Sequence, residues 1–153
     1  MKNEQARYNI TSCAALLAQH KKVHAFSMFL TIGSITFMLL YLTGSKFSSL
    51  WLWTFLIIIL LGFFELIIAM RIAFDQSLLK SLAKDLYQQN NTITEQLNLL
   101  DNALSLLKLI PSYKTSRTLN ERLSGCVKLL MIQMFLCCSQ FLLLIVFITL
   151  HAN

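Results

Sequence analysis

Residues 51–71 read WLWTFLIIILLGFFELIIAMR, and this stretch decides the fold of the chain. The run is long enough to cross a bilayer as a helix, and one carboxylic acid, Glu65, interrupts its apolar character. Trp51 and Trp53 stand at one end, where indole rings favour the headgroup layer, and Arg71 closes the other end. The stretch therefore predicts a transmembrane helix that carries an acid inside it.

The composition of the whole chain points the same way. Of 153 residues, 56% are hydrophobic and only 13% are charged, which is unlike a soluble domain. One Pro and four Gly leave little signal for β-turns, so we predict an all-α integral membrane protein. The net charge of +6 is not gathered into a basic patch with interleaved aromatic residues, and we expect no nucleic-acid partner.

Two further apolar segments flank the central one, and they predict three membrane spans at residues 24–43, 50–70 and 129–150. The turn at 44–49 is short enough to force the first two spans into an antiparallel hairpin. The first span is too long for a signal-peptide core and no A-x-A-like site follows it, so we interpret it as a retained anchor. Tyr41 joins the two tryptophans as an anchor at this interface, and residues 151–153 form a short external tail.

The polar segments predict helices in water. Residues 1–23 are expected to form a juxtamembrane amphipathic helix, and residues 71–128 a module with helices at about 71–88 and 93–110 and the start of a long helix at 119–150. Capping-box pairs, Thr92 with Glu95 and Thr118 with Glu121, open the second and third of these helices. Pro111 ends the second, and a short connection folds the first two into an antiparallel hairpin.

The first helix of this module shows an amphipathic pattern. Its expected buried stripe consists of Ile72, Leu78, Leu79, Leu82 and Leu86, and its expected polar side of Gln76, Ser77, Lys80, Ser81, Lys84 and Asp85.

The distribution of Lys and Arg predicts the orientation. Residues 1–23 hold four of these bases and residues 71–128 hold eight, against one in the turn and none in the tail. The positive-inside rule then places the amino terminus and the helical module in the cytosol and the carboxyl terminus outside. We expect a multi-pass protein of a bacterial-type inner membrane.

Polar residues inside the spans predict a buried cluster. At 1.5 Å per residue, Glu65 lies within about 10 Å of Arg71, and Gln133 lies within about 10 Å of Lys128. The two side chains therefore occupy similar depths below the same membrane surface. Gly62, one turn from Glu65, would let neighbouring helices approach closely. The predicted intramembrane cluster comprises Glu65, Gln133, Gln140, Ser27 and Thr31. We expect Glu65 to contact Gln133, with Ser27 or Thr31 at the same depth on the first span.

Two interpretations of this cluster compete. In the structural interpretation, a protonated Glu65 and the amide of Gln133 hold three helices in register. In the functional interpretation, Glu65 carries protons or binds a cation, alone or in an oligomer, as intramembrane acids often do. The lack of a second titratable group near Glu65 favours the structural interpretation.

Cys13, His20 and His24 are weak candidates for metal ligands. With Leu17 they recur at helical spacing and would share one face, but their spacing is not that of a standard site and no fourth ligand is evident. We therefore expect no metal and no other cofactor, with the histidines at the membrane interface. The four cysteines show no CxxC spacing, which is typical of a reducing compartment.

No enzymatic motif stands out. The sequence lacks a nucleophile elbow, an HExxH pair and a glycine-rich phosphate loop, and we expect no carboxylate near His20 or His24. We predict that the chain is not an enzyme, and the sequence identifies no small-molecule substrate. The expected role is that of an accessory or scaffold subunit, which contacts a protein partner or its own copies through its hairpin and spans. The alternative is a membrane-active oligomeric pore, holin-like or a defence effector, that uses Glu65.

Overall fold

The computed structural model describes residues 2–43, 49–88, 95, 97–99, 102 and 118–151. Within them lie α1 (Lys2–Leu17), α2 (His20–Thr43), α3 (Ser49–Gln88) and α4 (Leu119–His151). Glu95, residues 97–99 and Asn102 are also helical. The predicted turn up to residue 48, most of the helix at 93–110, the linker from Pro111 to residue 117 and the last two residues lie outside the described part.

The predicted all-α class is confirmed, and so is the number of helices long and apolar enough to cross a membrane. By length and composition, three helical segments meet that condition: Glu4–Leu40, Leu52–Asp85 and Leu119–Thr149. The α3 helix passes Arg71 without a break and continues to Gln88, as its amphipathic continuation predicts.

The start of α4 follows the predicted capping box. The backbone N–H of Thr118 donates to Glu121 Oε2 at 3.0 Å, and the N–H of Glu121 donates to Thr118 Oγ1 at 3.4 Å. Two N–H groups that the helix itself leaves unpaired are thereby satisfied. The same motif at Thr92 lies outside the described residues.

The amino-terminal segment departs from the prediction of one helix over 1–23. The α1 helix ends at Leu17 and α2 begins at His20. At the break, the N–H of Ala18 is shared between the carbonyls of Ala14 at 3.1 Å and Ala15 at 3.2 Å. Alanine and glutamine are both good helix formers, so no local signal marks this break. Cys13 therefore belongs to a different helix from His20 and His24, and the three do not share one helix face.

The chain divides into two compact units. Unit 1 comprises Met1–Ala18 and Ala73–Lys128, and unit 2 comprises Gln19–Ile72 and Leu129–Asn153. The α3 and α4 helices each contribute to both units, and α2 lies entirely within unit 2.

The described residues of unit 1 enclose an apolar core. Its described core consists of Ile10, Cys13, Ala14, Leu17, Leu79, Leu82, Leu97 and Cys126. The prediction that Gln76 lies on the polar side of its helix is wrong, because Gln76 is buried. It follows Ile72 by four residues and precedes Leu79 by three, which places it on the same face. Its Nε2 donates to the carbonyl of Ala14 at 3.2 Å, which satisfies the buried amide.

Unit 2 is a bundle of three helices in which α3 runs antiparallel to α2 and α4. Near one end, His24 of α2 and Gln133 of α4 both contact Glu65 of α3. Farther along α2 and α4, contacts are made with residues that come earlier in α3. The buried positions of α3 in this unit alternate steps of three and four, the spacing of coiled-coil-like packing: Phe55, Ile58, Gly62, Glu65, Ala69 and Ile72.

A layer of aromatic rings joins the three helices of unit 2. The ring of Phe55 lies 6.5 Å from that of Phe37 in a stacked arrangement and 5.1 Å from that of Phe147 in a tilted one. Each helix contributes one ring, and Phe55 in the centre is only 3% exposed. Such pairs add to packing when their centroids lie within about 7 Å.

The interior of unit 2 contains polar as well as apolar side chains. Its buried apolar residues include Leu30, Ile58 and Leu130, and many large apolar side chains are also exposed on its outside. The buried polar residues are His20, Ser27, Ser34, Glu65, Gln133 and Gln140. The exposed apolar residues include Phe29, Leu40, Leu60, Phe63, Phe135 and Leu142.

Phe55 and Phe63 form a matched pair for testing this packing, since both lie on α3. Phe55→Ala should lower the free energy of unfolding in mild detergent by about 3 kcal/mol, because the ring loses its partners on two helices. Phe63→Ala should change it little, because the Phe63 ring is 60% exposed. Thermal unfolding of the two purified variants makes the comparison, and equal losses would contradict the proposed inside and outside of unit 2.

Candidate functional site

Glu65 is the centre of a polar cluster that joins all three helices of unit 2. Its side chain is fully buried, at 0% exposure. Its Oε2 lies 2.9 Å from Nδ1 of His24 on α2, and its Oε1 accepts a hydrogen bond of 2.6 Å from Nε2 of Gln133 on α4. An acid that would be very costly to bury alone therefore has a partner on each neighbouring helix.

Gln133 links this cluster to the backbone of α2 as well. Its Nε2 also lies 3.4 Å from the carbonyl oxygen of His20, to which it donates a second, longer hydrogen bond. Its Oε1 is buried and has no hydrogen-bond partner among the residues that the structure describes. An unpaired buried amide oxygen of this kind costs about 1–3 kcal/mol, so this level of the bundle is not fully satisfied.

Gln140 forms a second polar cluster two helical turns farther along α4. Its Oε1 accepts a hydrogen bond of 2.7 Å from the hydroxyl of Ser27. Its Nε2 donates to Thr31 Oγ1 at 3.2 Å and to the carbonyl of Ile58 at 3.1 Å. One amide thus connects α4 to both α2 and α3, and both of its polar atoms are used.

Gly62 makes this second cluster possible. A Cβ atom at this position would overlap Thr31 Oγ1 and lie 2.9 Å from Gln140 Nε2. The helices therefore approach at a point where only a hydrogen atom fits, as small residues allow in membrane bundles. The predicted role of Gly62 in close approach agrees with this geometry.

The register between α2 and the other helices differs from the sequence-based expectation. Ser27 and Thr31 contact Gln140, whereas His24 lies beside Glu65. The residue of α2 that lies at the depth of Glu65 is therefore His24, three residues before Ser27. The prediction that the histidines lack a nearby carboxylate is wrong for His24. The prediction that Glu65 lacks a second titratable group nearby is wrong for the same reason.

A signal for His24 was present in the sequence. Positions 20, 24, 27, 31 and 34 alternate steps of four and three, so the face that carries Ser27 and Thr31 extends back through both histidines. Because His24 was expected at the membrane interface, its place on this buried face was not predicted.

The remaining predicted residues lie away from these clusters or outside the described side chains. Trp53 and Arg71 are exposed, and the side chains of Tyr41 and Trp51 lie outside the described part. No group of three or more His, Cys, Asp or Glu side chains placed to hold a metal ion occurs among the described residues. His24, one of the three weak metal candidates, is instead engaged with Glu65.

The cysteines of the structure are free thiols in two environments. Cys13, Cys126 and Cys137 are buried, and Cys138 is exposed. The Sγ of Cys137 lies 3.9 Å from the carbonyl oxygen of Val23, a weak hydrogen-bond contact between α4 and α2. The three buried thiols fill space as small side chains, as free cysteines commonly do, and the Sγ of Cys126 also lies 3.9 Å from Asp75 Oδ2.

Chemically, the first cluster differs from the second. His24 is 30% exposed while Glu65 is fully buried, so the imidazole lies between the carboxyl group and the surroundings of the bundle. An imidazole in hydrogen-bond contact with a carboxyl group can pass a proton to it. The second cluster contains only hydroxyl, amide and backbone groups, which can position helices but do not ionise at neutral pH.

Comparison with known proteins adds no relative. No protein-family model, no curated protein and no solved structure matches this chain. A function is therefore inferred from the chain's own residues.

Gly62 and Gly33 offer a controlled test of the close approach. Gly62→Ala should lower the free energy of unfolding in detergent by about 1–3 kcal/mol, because the added methyl group overlaps Thr31 and Gln140. Gly33→Ala should be neutral or slightly stabilising, since nothing lies within 4 Å of its added Cβ and alanine favours the helix. Thermal unfolding of both variants measures the difference.

A second-site change completes this test. Thr31→Ala removes the hydroxyl that the added methyl group would strike, and it should recover part of the stability lost in Gly62→Ala. A Gly62→Ala variant as stable as the Gly33→Ala variant would show that the helices do not meet at this point.

Proposed function

We propose that this chain is a multi-pass protein of a bacterial-type inner membrane, in which it acts as an accessory or scaffold subunit rather than as an enzyme. Unit 2 would lie in the bilayer and unit 1 in the cytosol. The single observation that supports insertion most strongly is the outside of unit 2, where many large apolar side chains are exposed while charged and amide side chains such as Glu65 and Gln140 are buried.

This polarity suits lipid and not water. Soluble proteins rarely expose large continuous apolar surfaces, whereas hydrocarbon surrounds such surfaces at no cost. Within a bilayer, polar side chains are favoured on helix faces that meet other helices, where they can hydrogen-bond. Glu65, Gln133 and Gln140 have their described contacts on such faces.

The charges support a cytosolic unit 1. The described exposed residues of this unit include charged and amide side chains such as Lys80, Lys84 and Asn98. The segment 71–128 holds eight Lys and Arg residues and residues 1–23 hold four, against one in the turn 44–49. The positive-inside rule favours the cytosol for segments with such an excess.

A scaffold role is consistent with the bonding within unit 2. Two amide side chains and an aromatic layer fix its helices at three levels, which suits a rigid support. In unit 1, apolar side chains that remain exposed offer contact area to a partner helix: Tyr8, Leu16, Phe74 and Leu99. The proposed partner is therefore a protein that binds by helix packing.

Paired reporters test the topology. A periplasm-active phosphatase fused after Asn153 should be active, and a fluorescent protein that matures only in the cytosol should remain dark at the same position. The same two reporters fused before Met1 should give the opposite result. A fluorescent carboxyl-terminal fusion would contradict the proposed orientation, and recovery of the chain in the soluble fraction would contradict insertion.

Purification tests the scaffold role. When the full chain is isolated in mild detergent, we expect a distinct protein to co-purify in a fixed ratio. The double substitution Tyr8→Ser, Leu99→Ser should release it, because both changes remove exposed apolar area from unit 1. A matched change on unit 2, Phe29→Ser, should retain it. Isolation of a homo-oligomer with no partner would argue for the alternative function.

The alternative function is that of a membrane-active oligomer in which Glu65 carries protons or binds a cation. The observation that favours it is the contact of the buried Glu65 with His24, a titratable neighbour that is itself partly exposed. The carboxyl group then has a possible route for proton exchange, which a lone acid would lack.

Glu65→Gln separates the two functions. The introduced amide can still accept the hydrogen bond from Gln133, so the bundle should remain folded. If the protein acts as a proton-conducting oligomer, overproduction of the native chain should collapse the membrane potential and Glu65→Gln should abolish this effect. Under the scaffold function, a potential-sensitive dye should report no difference between the two chains.

A further inference from the structure

Three exposed bases lie at one end of unit 2. Lys21 and Lys22 precede His24 by three and two residues, and Arg71 follows Glu65 by six. Because His24 contacts Glu65 and the two helices run antiparallel, all three bases lie on the same side of that contact. At 1.5 Å per residue they stand about 3–9 Å from it along the helix axes. The side chains of all three are exposed.

These bases have no acidic partner within their own unit. Of the seven Asp and Glu residues in the chain, only Glu65 belongs to unit 2. Glu65 is fully buried and is bonded to His24 and Gln133. Within the described part of the chain, no ion pair involves Lys21, Lys22 or Arg71. Their positive charge is therefore available to a ligand.

Apolar side chains cover the outside of the same helices on the other side of the His24–Glu65 contact. On α2 these are Phe26 and Phe29, and on α3 they are Phe63 and Phe64, all exposed. A ligand that fits this surface has a negatively charged group at the level of the bases and long apolar chains beside the aromatic rings. A phospholipid with an anionic headgroup has this structure.

We propose that this end of unit 2 binds anionic phospholipids in preference to zwitterionic ones, with Lys21, Lys22 and Arg71 as the phosphate-binding residues. The guanidinium of Arg71 can hold two phosphate oxygens at once, and the two lysines act as compact point charges. The inference rests on the proposed insertion of unit 2 into a bilayer, and it adds to that function a selection among lipids.

The expected size of the preference follows from the charge. A base near an anionic membrane surface contributes about 1 kcal/mol, which corresponds to roughly a fivefold change in association per residue. The contribution decreases as salt shortens the range of the interaction, to about 3 Å at 1 M ionic strength. A preference that comes from these residues is therefore salt-sensitive.

The test uses the full chain reconstituted in vesicles of phosphatidylcholine with one-fifth phosphatidylglycerol. Spin-labelled forms of the two lipids report how strongly each associates with the protein. The native chain should favour phosphatidylglycerol several-fold at low salt, and the preference should fall in the double substitution Lys21→Gln, Lys22→Gln and in Arg71→Gln. The matched control is Lys80→Gln, Lys84→Gln, which removes the same charge from exposed sites of unit 1 and should retain the preference.

Two further measurements make the outcome unambiguous. Resistance of every variant to alkaline extraction from the vesicles reports insertion, so a chain that is extracted contradicts the proposed function itself. An inserted chain without lipid preference, or with equal losses in the control, overturns the lipid inference alone. Competition by glycerol 3-phosphate distinguishes a lipid from a free phosphate ester: displacement of phosphatidylglycerol at millimolar concentrations would assign the site to the soluble ester.

Discussion

The cross-helix hydrogen bonds of Gln140 are the interaction on which unit 2 depends. In apolar surroundings an amide has no water to bond, so both of its polar atoms must find partners on other helices. Gln140 finds them in Ser27, in Thr31 and in the carbonyl of Ile58, and it reaches that carbonyl because residue 62 has no side chain. These contacts fix the axial register of α2, α3 and α4, because sliding one helix by one residue would break its hydrogen bonds to Gln140.

The register set at this level determines what Glu65 meets. One level away, the acid contacts an imidazole and an amide instead of hydroxyl groups, and Gln133 is left with an unpaired oxygen within the described chain. Fully satisfied networks make a core rigid, whereas partly satisfied ones are less stable than their neighbours. The Gln140 level is thus suited to holding the bundle together. The Glu65 level is where a change of protonation or a bound group would alter the balance of contacts.

The sequence predicted those features that depend on local patterns. Long apolar runs identified the helices, the pair Thr118 and Glu121 identified the start of α4, and small and amide side chains identified the buried face. It did not predict features that depend on packing between segments. The break after Leu17 contains no helix breaker, and the burial of Gln76 follows from its bond to the carbonyl of Ala14. His24 was missed because a shift of three residues in the register of α2, from Ser27 to His24, exchanges one polar neighbour of Glu65 for another.

The arrangement of the free thiols has a practical consequence. Cys137 and Cys138 are adjacent in the chain, yet α4 turns the first into the bundle and the second away from it. Among the four cysteines, Cys138 alone is exposed in the folded chain. Because a maleimide reacts with the thiolate, which lipid disfavours, Cys138 should react slowly in vesicles if this face of α4 lies in lipid and rapidly if the face lies in water. The rate of labelling of the native chain would thus report the surroundings of the outer face of α4 without any mutagenesis.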